Sequence, residues 1–192
     1  MKTRNITLLL LFTCILPSCK KNYTPRPRGY LRIEPPAAQY VALNLSGLPC
    51  GFNISTQAAV EMSPDGSSPY GFNIDYPNLH AKIYCSYQPV TPRTFREREN
   101  ECRRLVERTA GKAKAISEQF YENKDRHVYG SLFRINGETP APVQFILTDS
   151  VSGIFRGALY HEYGSNVDSL APVTEYIRED IIELFLTFYW KK

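Results

Sequence analysis

Two apolar runs that flank a tight turn most constrain how this chain can fold. The first run covers residues 143–150 and the second covers residues 154–160, with Ser152 and Gly153 between them. Runs of this length joined by a Ser/Gly turn predict a hairpin of two β-strands. We expect this hairpin to form the core of the domain. The polar residues at its ends, which continue to Leu170, are candidates for function because packing alone does not require them.

The N-terminus predicts the compartment. A positively charged start precedes an apolar run, residues 6–16, that is too short to cross a membrane as a helix. The motif Leu16-Pro17-Ser18-Cys19 then resembles a bacterial lipobox. We expect residues 1–18 to be a lipoprotein signal peptide and Cys19 to carry the lipid that anchors the protein to a membrane. Lys20 is not the Asp that commonly retains lipoproteins in the inner membrane, which favours the outer membrane, facing the periplasm.

The net charge argues against one class of partner. It is +4 for the whole chain and falls by two to +2 when Lys2 and Arg4 leave with the signal peptide. Nucleic-acid binding needs a clustered basic face. We therefore expect no nucleic-acid partner.

Three cysteines remain once Cys14 is removed and Cys19 is lipidated, namely Cys50, Cys85 and Cys102. In an oxidising compartment they allow one disulfide and one buried thiol, but their positions do not say which two would pair. Their spacing matches no zinc pattern.

Proline content separates the anchor from the folded part. Pro25, Pro27, Pro35 and Pro36 favour extended polyproline geometry, so we expect residues 19–38 to be the lipidated Cys and a tether. A single globular domain is expected over residues 39–192.

Several further strands are predicted. Gly-Phe-Asn-Ile occurs at residues 51–54 and again at residues 71–74, and each copy is interpreted as a strand that begins after a Pro-X-Gly turn. Residues 79–87 alternate apolar and polar side chains, which predicts a half-buried strand. Residues 126–135 form the next strand, ended by the turn pair Asn136-Gly137.

A long amphipathic helix is predicted from Thr94, which forms a capping box with Glu97. Apolar residues then recur every three or four positions and define one stripe. The stripe comprises Cys102, Leu105, Val106, Thr109, Ala113, Ile116 and Phe120. The simplest role for the stripe is in the core, and the alternative is a coiled-coil partner.

A second helix is predicted over residues 170–190, capped by Asp168 or Ser169, with Pro172 in its first turn. Two amphipathic helices and mostly hairpin-connected strands imply an α+β fold in which an antiparallel sheet packs with both helices. The order of helix, three strands and helix is similar to the order of elements in small PsbP/Mog1-type sandwiches. The analogy concerns the fold alone and implies nothing about function.

Motifs spread over most of the mature chain carry a family resemblance. They are Pro27-Arg28-Gly29-Tyr30 with Arg32-Ile33, Tyr76-Pro77, Ala81-Lys82-Ile83-Tyr84, Val128-Tyr129-Gly130, Gln144-Phe145, Leu147-Thr148-Asp149-Ser150, Phe155-Arg156-Gly157-Ala158-Leu159-Tyr160, Asn166, Asp168-Ser169-Leu170, Glu179-Asp180-Ile181 and Trp190. In order and spacing they resemble GldD, the family of gliding motility lipoproteins. The chain departs from the expected pattern at Gly71-Phe72-Asn73, where a Cys-Trp pair would stand.

The resemblance implies a non-enzymatic accessory lipoprotein of the cell envelope. It would support the assembly of the gliding machinery, which is tied to type IX protein secretion. Its partners would be the membrane, through the lipid anchor, and other envelope lipoproteins of that machinery. The alternative is a periplasmic domain that binds a lipid or small ligand inside the sandwich. A scaffold predicts a packed interior and a large exposed patch, whereas a ligand-binding domain predicts an apolar cavity.

Catalytic chemistry is not indicated. Ser150, His161 and Asp168 are the residue types of a hydrolytic triad, but Ser150 lacks the Gly-X-Ser-X-Gly elbow that exposes such a nucleophile. The simpler role of Thr148, Asp149 and Ser150 is to bond the backbone of the turn. His161-Glu162 alone is a poor metal site, and no phosphate loop or dinucleotide fingerprint is present. We therefore expect no catalytic residues, no metal and no cofactor.

Arg156 is the strongest candidate for binding. It lies in a strand that must face a core, so it should pair with a carboxylate, for which Asp149 and Asp168 are the candidates. A structural salt bridge is one interpretation. The other is a partner-facing patch of Arg28, Tyr30, Asp149, Arg156, Asn166 and Asp168. On the second interpretation, Arg156→Ala would preserve folding and abolish assembly.

Overall fold

The structure, a computed structural model, describes residues 37–62, 70–111, 113, 115–162 and 167–191, and it describes only the backbone of residues 167–169. The predicted signal peptide, Cys19 and nearly all of the tether lie outside this part, as do Arg28, Tyr30 and Asn166. Along the described chain the elements are β1 (Tyr40–Leu43), β2 (Cys50–Ser55), β3 (Ala59–Met62), β4 (Gly71–Tyr76), a 3-10 turn (Pro77–Leu79), β5 (Ala81–Pro89), α1 (Phe95–Ala110), β6 (Ala115–Asn123), β7 (Val128–Asn136), β8 (Val143–Thr148), β9 (Gly153–His161), α2 (Val167–Thr187) and β10 (Tyr189–Trp190).

The strands form two antiparallel sheets. Seven strands make the larger sheet in the order β3-β4-β5-β9-β8-β7-β6, and β1, β2 and β10 make a small one. The hairpin of β8 and β9 lies at the centre of the large sheet, with β9 paired to β5 along nine residues. The prediction that this hairpin is the core of an α+β fold with an antiparallel sheet and two helices is confirmed.

One face of the large sheet is covered by α2 and the small sheet. Phe52 of β2 stands at the centre of this layer, with its ring centroid 5.3 Å from that of Phe155 and 5.9 Å from that of Phe188. Both Phe155 and Phe188 are fully buried. Burying an aromatic side chain contributes about 1.5–3 kcal/mol, and such ring pairs add about 0.5–1.5 kcal/mol. This aromatic layer therefore holds β2, β9 and the C-terminus together.

The opposite face is covered by α1. Cys102, Val106 and Ala110 of the helix pack on a second apolar cluster, formed by Val90, Phe133, Ile135, Ile146 and Ile154. Because side chains alternate along β9, Ile154 and Arg156 face α1, while Phe155 and Gly157 face the aromatic layer. The alternation predicted for residues 79–87 holds as well, with Ala81, Ile83 and Cys85 buried.

The prediction that α1 continues to Phe120 is wrong. The helix ends at Ala110, and Gly111 follows with a φ of +53°, a conformation that suits glycine. Residues 115–123 instead form β6, which pairs along nine residues with β7. Phe120 is consequently 73% exposed at the edge of the sheet rather than part of a helical stripe.

The predicted cap of α1 is also wrong. Thr94 has helical backbone angles and makes no side-chain capping bond. Its hydroxyl oxygen accepts a hydrogen bond from the backbone N–H of Thr91 at 3.0 Å, so the chain forms a turn before the helix.

The last helix differs from its predicted bounds at both ends. It begins at Val167, before the expected caps, so Pro172 lies inside it rather than in its first turn. It ends at Thr187, and Tyr189 and Trp190 pair with β2 as β10. The helix stops because Phe188 enters the aromatic layer, while Thr187 Oγ1 accepts a hydrogen bond from the N–H of Asn53 at 2.9 Å.

Candidate functional site

The turn between β8 and β9 uses the polar residues that the sequence offers there. Asp149 Oδ1 accepts hydrogen bonds from the backbone N–H groups of Val151, Ser152 and Gly153 at 2.9, 2.7 and 3.1 Å. Burial alone would raise the pKa of Asp149, but these bonds and the Ser152 hydroxyl lower it below its ordinary value. The Thr148 hydroxyl donates to Gly153 O at 2.7 Å and accepts from Ser150 N at 2.9 Å. The interpretation that residues 148–150 bond the turn backbone is confirmed.

The candidate hydrolytic trio is not assembled. Ser150 lies at the turn, whereas His161 ends β9, and eight steps of about 3.3 Å separate the two ends of that strand. His161 Nε2 lies 2.9 Å from Thr174 Oγ1 of α2, and burial lowers the pKa of this imidazole. The side chain of Asp168 lies outside the described residues. Ser150 and His161 are therefore too far apart to act on one substrate atom.

The adjacent pair of His80 and Glu162 forms a contact on the surface. His80 Nδ1 lies 3.3 Å from Glu162 Oε2, with both side chains about half exposed. Within the described ranges, no three residues of the types His, Cys, Asp and Glu are placed to hold a metal ion.

The described cysteines form no disulfide. Cys50, Cys85 and Cys102 are each free and buried. Burial raises the pKa of Cys50 to about 12 and also raises the pKa of Cys85 and Cys102. These thiols act as small core side chains.

Among the described side chains Arg156 contacts an amide, while Asp168, one of its two expected carboxylate partners, has a side chain outside the described residues. Its Nη2 donates to Oε1 of Gln144 at 3.0 Å, and among the described residues this is its one hydrogen bond. Asp149 is engaged in the turn, and no other described carboxylate pairs with Arg156. Its Nε is buried without an acceptor, and so is Nε2 of Gln144. The arginine is therefore held in place without charge compensation from the described part of the chain.

A depression of about 380 Å³ opens to solvent in front of this arginine. Ser86 lies directly opposite Arg156 in the β5–β9 ladder, and Tyr84 lies opposite Ala158. The rings of Tyr84 and Tyr160 form one wall, with centroids 5.3 Å apart and planes at 90°. The alternation of β5 indicated that Tyr84 faces outward, but nothing local in the sequence indicated that Gln144 holds Arg156.

Arg156 also marks the border of the area that α1 covers. Arg156 lies on the same face of β9 as Ile154, which packs on α1, and its positive charge partly offsets the rise that burial causes in the pKa of Cys102. Beyond this border the same face of β5 carries Tyr84, which is 50% exposed, and Lys82. Lys82 is neutralised by Glu61 at 2.8 Å and Asp75 at 3.6 Å. Among the described residues of this open part of the face, carboxylates compensate Lys82 but not Arg156.

Of the predicted six-residue patch, the structure describes the side chains of Asp149 and Arg156, and these two border different depressions. Asp149 borders a second depression, of about 540 Å³, together with Arg126, Trp190 and Lys191. Arg156 borders the first depression. Asp168 contributes its backbone to the first turn of α2.

A buried carboxylate on α2 is a feature that the sequence analysis missed. Asp180 is 4% exposed, and its two oxygens accept hydrogen bonds from the hydroxyls of Tyr40 at 3.0 Å and Tyr76 at 3.1 Å. Burial raises the pKa of Asp180, although the hydroxyl bonds oppose the change. The sequence feature that could have identified Asp180 is its position between Ile177 and Ile181 on the apolar side of the helix. The contact joins β1, β4 and α2, which is a structural role.

No helix in the described part of the chain is both long enough and apolar enough to span a membrane.

Among curated proteins, no sequence matches the chain. Among solved structures, the solution structure of cyanobacterial PsbP (CyanoP) from Synechocystis sp. PCC 6803 is similar at a TM-score of 0.49 and 9% sequence identity. The similarity covers 85% of this chain and 99% of that one.

The match to a known family is extensive. The family model described as "Gliding motility lipoprotein GldD" matches residues 20–190, nearly the whole of the expected mature chain. The match agrees with the resemblance carried by the motifs from Pro27 to Trp190. The chain therefore belongs to the gliding motility lipoprotein GldD family.

Proposed function

We propose that the protein is a non-enzymatic accessory component that helps assemble the gliding machinery and the type IX secretion associated with it. A lipid on Cys19 would hold it in the outer membrane, facing the periplasm. The lipobox-like motif and the family support the anchor, and Lys20 supports the choice of membrane. In this role the domain acts by holding another envelope protein.

The observation that carries the docking role is the part of the sheet face around Arg156 that opens to solvent and that no described element covers. Helix α1 packs on the cluster of Phe133, Ile146 and Ile154, and Arg156 lies on the same face of β9 as Ile154. The adjoining side chains surround an open depression instead of packing under a second helix. A cation that has no charged partner among the described residues favours a surface of opposite charge. We therefore propose that the occupant is an envelope protein with a negatively charged contact surface.

The six-residue patch stays part of this proposal, with Arg156 at its centre. The carboxylate of Asp149 is bonded to the backbone of the turn. Asp149 therefore contributes to the patch indirectly, by fixing the turn that precedes β9. Arg28, Tyr30, Asn166 and Asp168 remain proposed members.

The interior favours docking over the alternative of an internal ligand. A Cβ at position 157 would lie within 3.0 Å of three atoms of the Phe145 ring. The rings of Phe52, Phe72 and Phe155 pack on one another at centroid distances of 5.3 to 6.4 Å. At this level of the sandwich the space between the layers is occupied by the protein's own side chains.

Capture of partners from the native envelope tests the proposal. The anchored protein would be cross-linked in cells, purified, and its partners identified by mass spectrometry. Arg156→Ala should abolish the capture of gliding or secretion lipoproteins while circular dichroism and the melting temperature show a folded domain. Arg134→Ala is the matched control, because Arg134 is a half-exposed arginine that pairs with Glu175 of α2 at 3.3 Å, on the other face of the sheet.

Capture that survives Arg156→Ala would contradict the docking surface. Loss of the fold in Arg156→Ala would instead assign Arg156 a structural role. Equal loss of capture in Arg134→Ala would show that the effect is not specific to this face.

A further inference from the structure

We propose that the depression in front of Arg156 is a carboxylate-binding site that receives an acidic side chain of the docked protein. This inference rests on the proposed docking function and names the chemistry that the site recognises. The ligand group is the carboxylate of an aspartate or glutamate on the partner's surface.

The first argument is the unused hydrogen-bonding capacity of Arg156. A guanidinium has five N–H donors in a fixed fork, and within the described residues one of them is bonded, to Gln144. A partly buried charge without a counter-charge is costly unless something pairs with it. The fork matches two carboxylate oxygens in one plane, which makes a carboxylate the natural complement.

The second argument is the way in which Gln144 holds the arginine. Gln144 is fully buried on β8, and its Oε1 faces Nη2 of Arg156. Its amide orientation is fixed because the guanidinium can only donate, so Nε2 must point elsewhere, and there it finds no acceptor. Within the described part of the chain, the pair therefore has N–H donors that find no acceptor. Gln144 is a positioning residue, since it acts by orienting Arg156.

The third argument is the lining of the depression. Ser86 lies across from Arg156, and Tyr84 and Tyr160 flank it, so every polar side chain there can donate a hydrogen bond. No acidic residue is among the described residues that line the depression, and the nearby Glu61 and Asp75 are engaged with Lys82. Because the hydroxyls can donate hydrogen bonds and the charge of Arg156 is positive, this lining suits an anion better than a cation. Because the depression is shallow and lies on a broad sheet face, it suits a side chain that projects from a flat partner surface.

The test measures binding of a single carboxylate to the mature, lipidated chain in detergent micelles. The probes are three glycine pentapeptides: one blocked at both ends with a central glutamate, one blocked with a central glutamine, and one with a free C-terminal carboxylate. The readout is the Nε–Hε nuclear magnetic resonance signal of Arg156, assigned by its loss in Arg156→Lys. Arg134→Lys is the matched control variant.

The glutamate peptide should shift the Arg156 signal in a saturable way, and the glutamine peptide should not. Gln144→Leu should weaken binding of the glutamate peptide by roughly tenfold or more, because the guanidinium loses the bond that orients it. Arg134→Lys should leave the titration unchanged. Equal responses to the glutamate and glutamine peptides would overturn the inference, and this comparison needs no variant. A response to the free C-terminus alone would overturn the assignment to a side chain.

The two proposals fail in different ways. Loss of partner capture in Arg156→Ala without any response to the glutamate peptide overturns the carboxylate site and leaves the docking function. A response to the glutamate peptide with capture unchanged in Arg156→Ala overturns docking at this face, and with it the claim that the carboxylate belongs to the partner.

Discussion

Gly157→Ala should destabilise the domain strongly, because Gly157 faces the buried ring of Phe145. The added Cβ would lie within 3.0 Å of three ring atoms, whereas ordinary contact begins at about 3.4 Å. The ring cannot retreat freely, since its centroid is 5.8 Å from that of Phe155 and 5.6 Å from that of Phe185. Overpacking of a filled core typically costs about 1–3 kcal/mol. We expect a loss of about 3 kcal/mol in the free energy of unfolding.

Urea denaturation followed by circular dichroism measures this loss. With a slope of about 2–3 kcal/mol/M, the midpoint should fall by about 1–1.5 M. Phe145→Leu removes the obstructing part of the ring and should cost about 1–2 kcal/mol alone. The clash is absent in the double variant. Its loss in the free energy of unfolding should therefore be smaller, by about 2 kcal/mol, than the sum of the losses in the two single variants.

Gly47→Ala is the control for the effect of glycine itself. Gly47 has a φ of +83° and no atom within 4 Å of an added Cβ, so its replacement should cost about 1 kcal/mol through backbone strain alone. Phe145→Leu should not reduce that cost. Additive losses for Gly157→Ala and Phe145→Leu would refute the steric argument.

Two further predictions concern buried titratable groups. Burial raises the pKa of the Asp180 carboxyl, so the folded protein binds a proton at this carboxyl more tightly than the unfolded chain does. The free energy of unfolding should therefore increase as the pH falls from 7 towards about 4. Asp180→Asn should remove that gain in urea denaturation at several pH values, and an unchanged pH profile would contradict it. The second prediction concerns the thiols of Cys50, Cys85 and Cys102, which are buried and have raised pKa values. A thiol reagent at about pH 8 should label none of them in the folded mature protein. It should label all three after unfolding. Labelling of only one after unfolding would indicate a disulfide.

Local patterns in the sequence predicted the centre of the fold well. The β8–β9 hairpin and the alternation of β5 are set by residues close together in the chain, so their signals are local. The failed prediction for α1 shows the limit of such patterns. Ala113, Ile116 and Phe120 continue a helical spacing, but Ile116 and Phe120 equally fit the period of a strand. Pairing with β7 along nine residues decided between the two, and that contact is invisible in a local window.

The candidate site illustrates the same limit in its chemistry. Arg156 was recognisable because a charge in an apolar strand is unusual, whereas its partner was inferred from charge alone. Gln144 lies on the neighbouring strand, in a run that predicted only core packing. Tyr40, Tyr76 and Asp180 were missed for the same reason, since they come together only when β1, β4 and α2 meet.

The polar turn and the candidate site are physically connected through strand register. The bonds from Asp149 and Thr148 fix the turn, and the turn fixes β8 against β9 with Arg156 opposite Ile146. Side chains alternate, so a slip of one residue would turn Arg156 into the aromatic layer and Phe155 towards α1. The turn residues that resemble a catalytic set thus serve to present one arginine, beside Gln144, on the face that α1 leaves open.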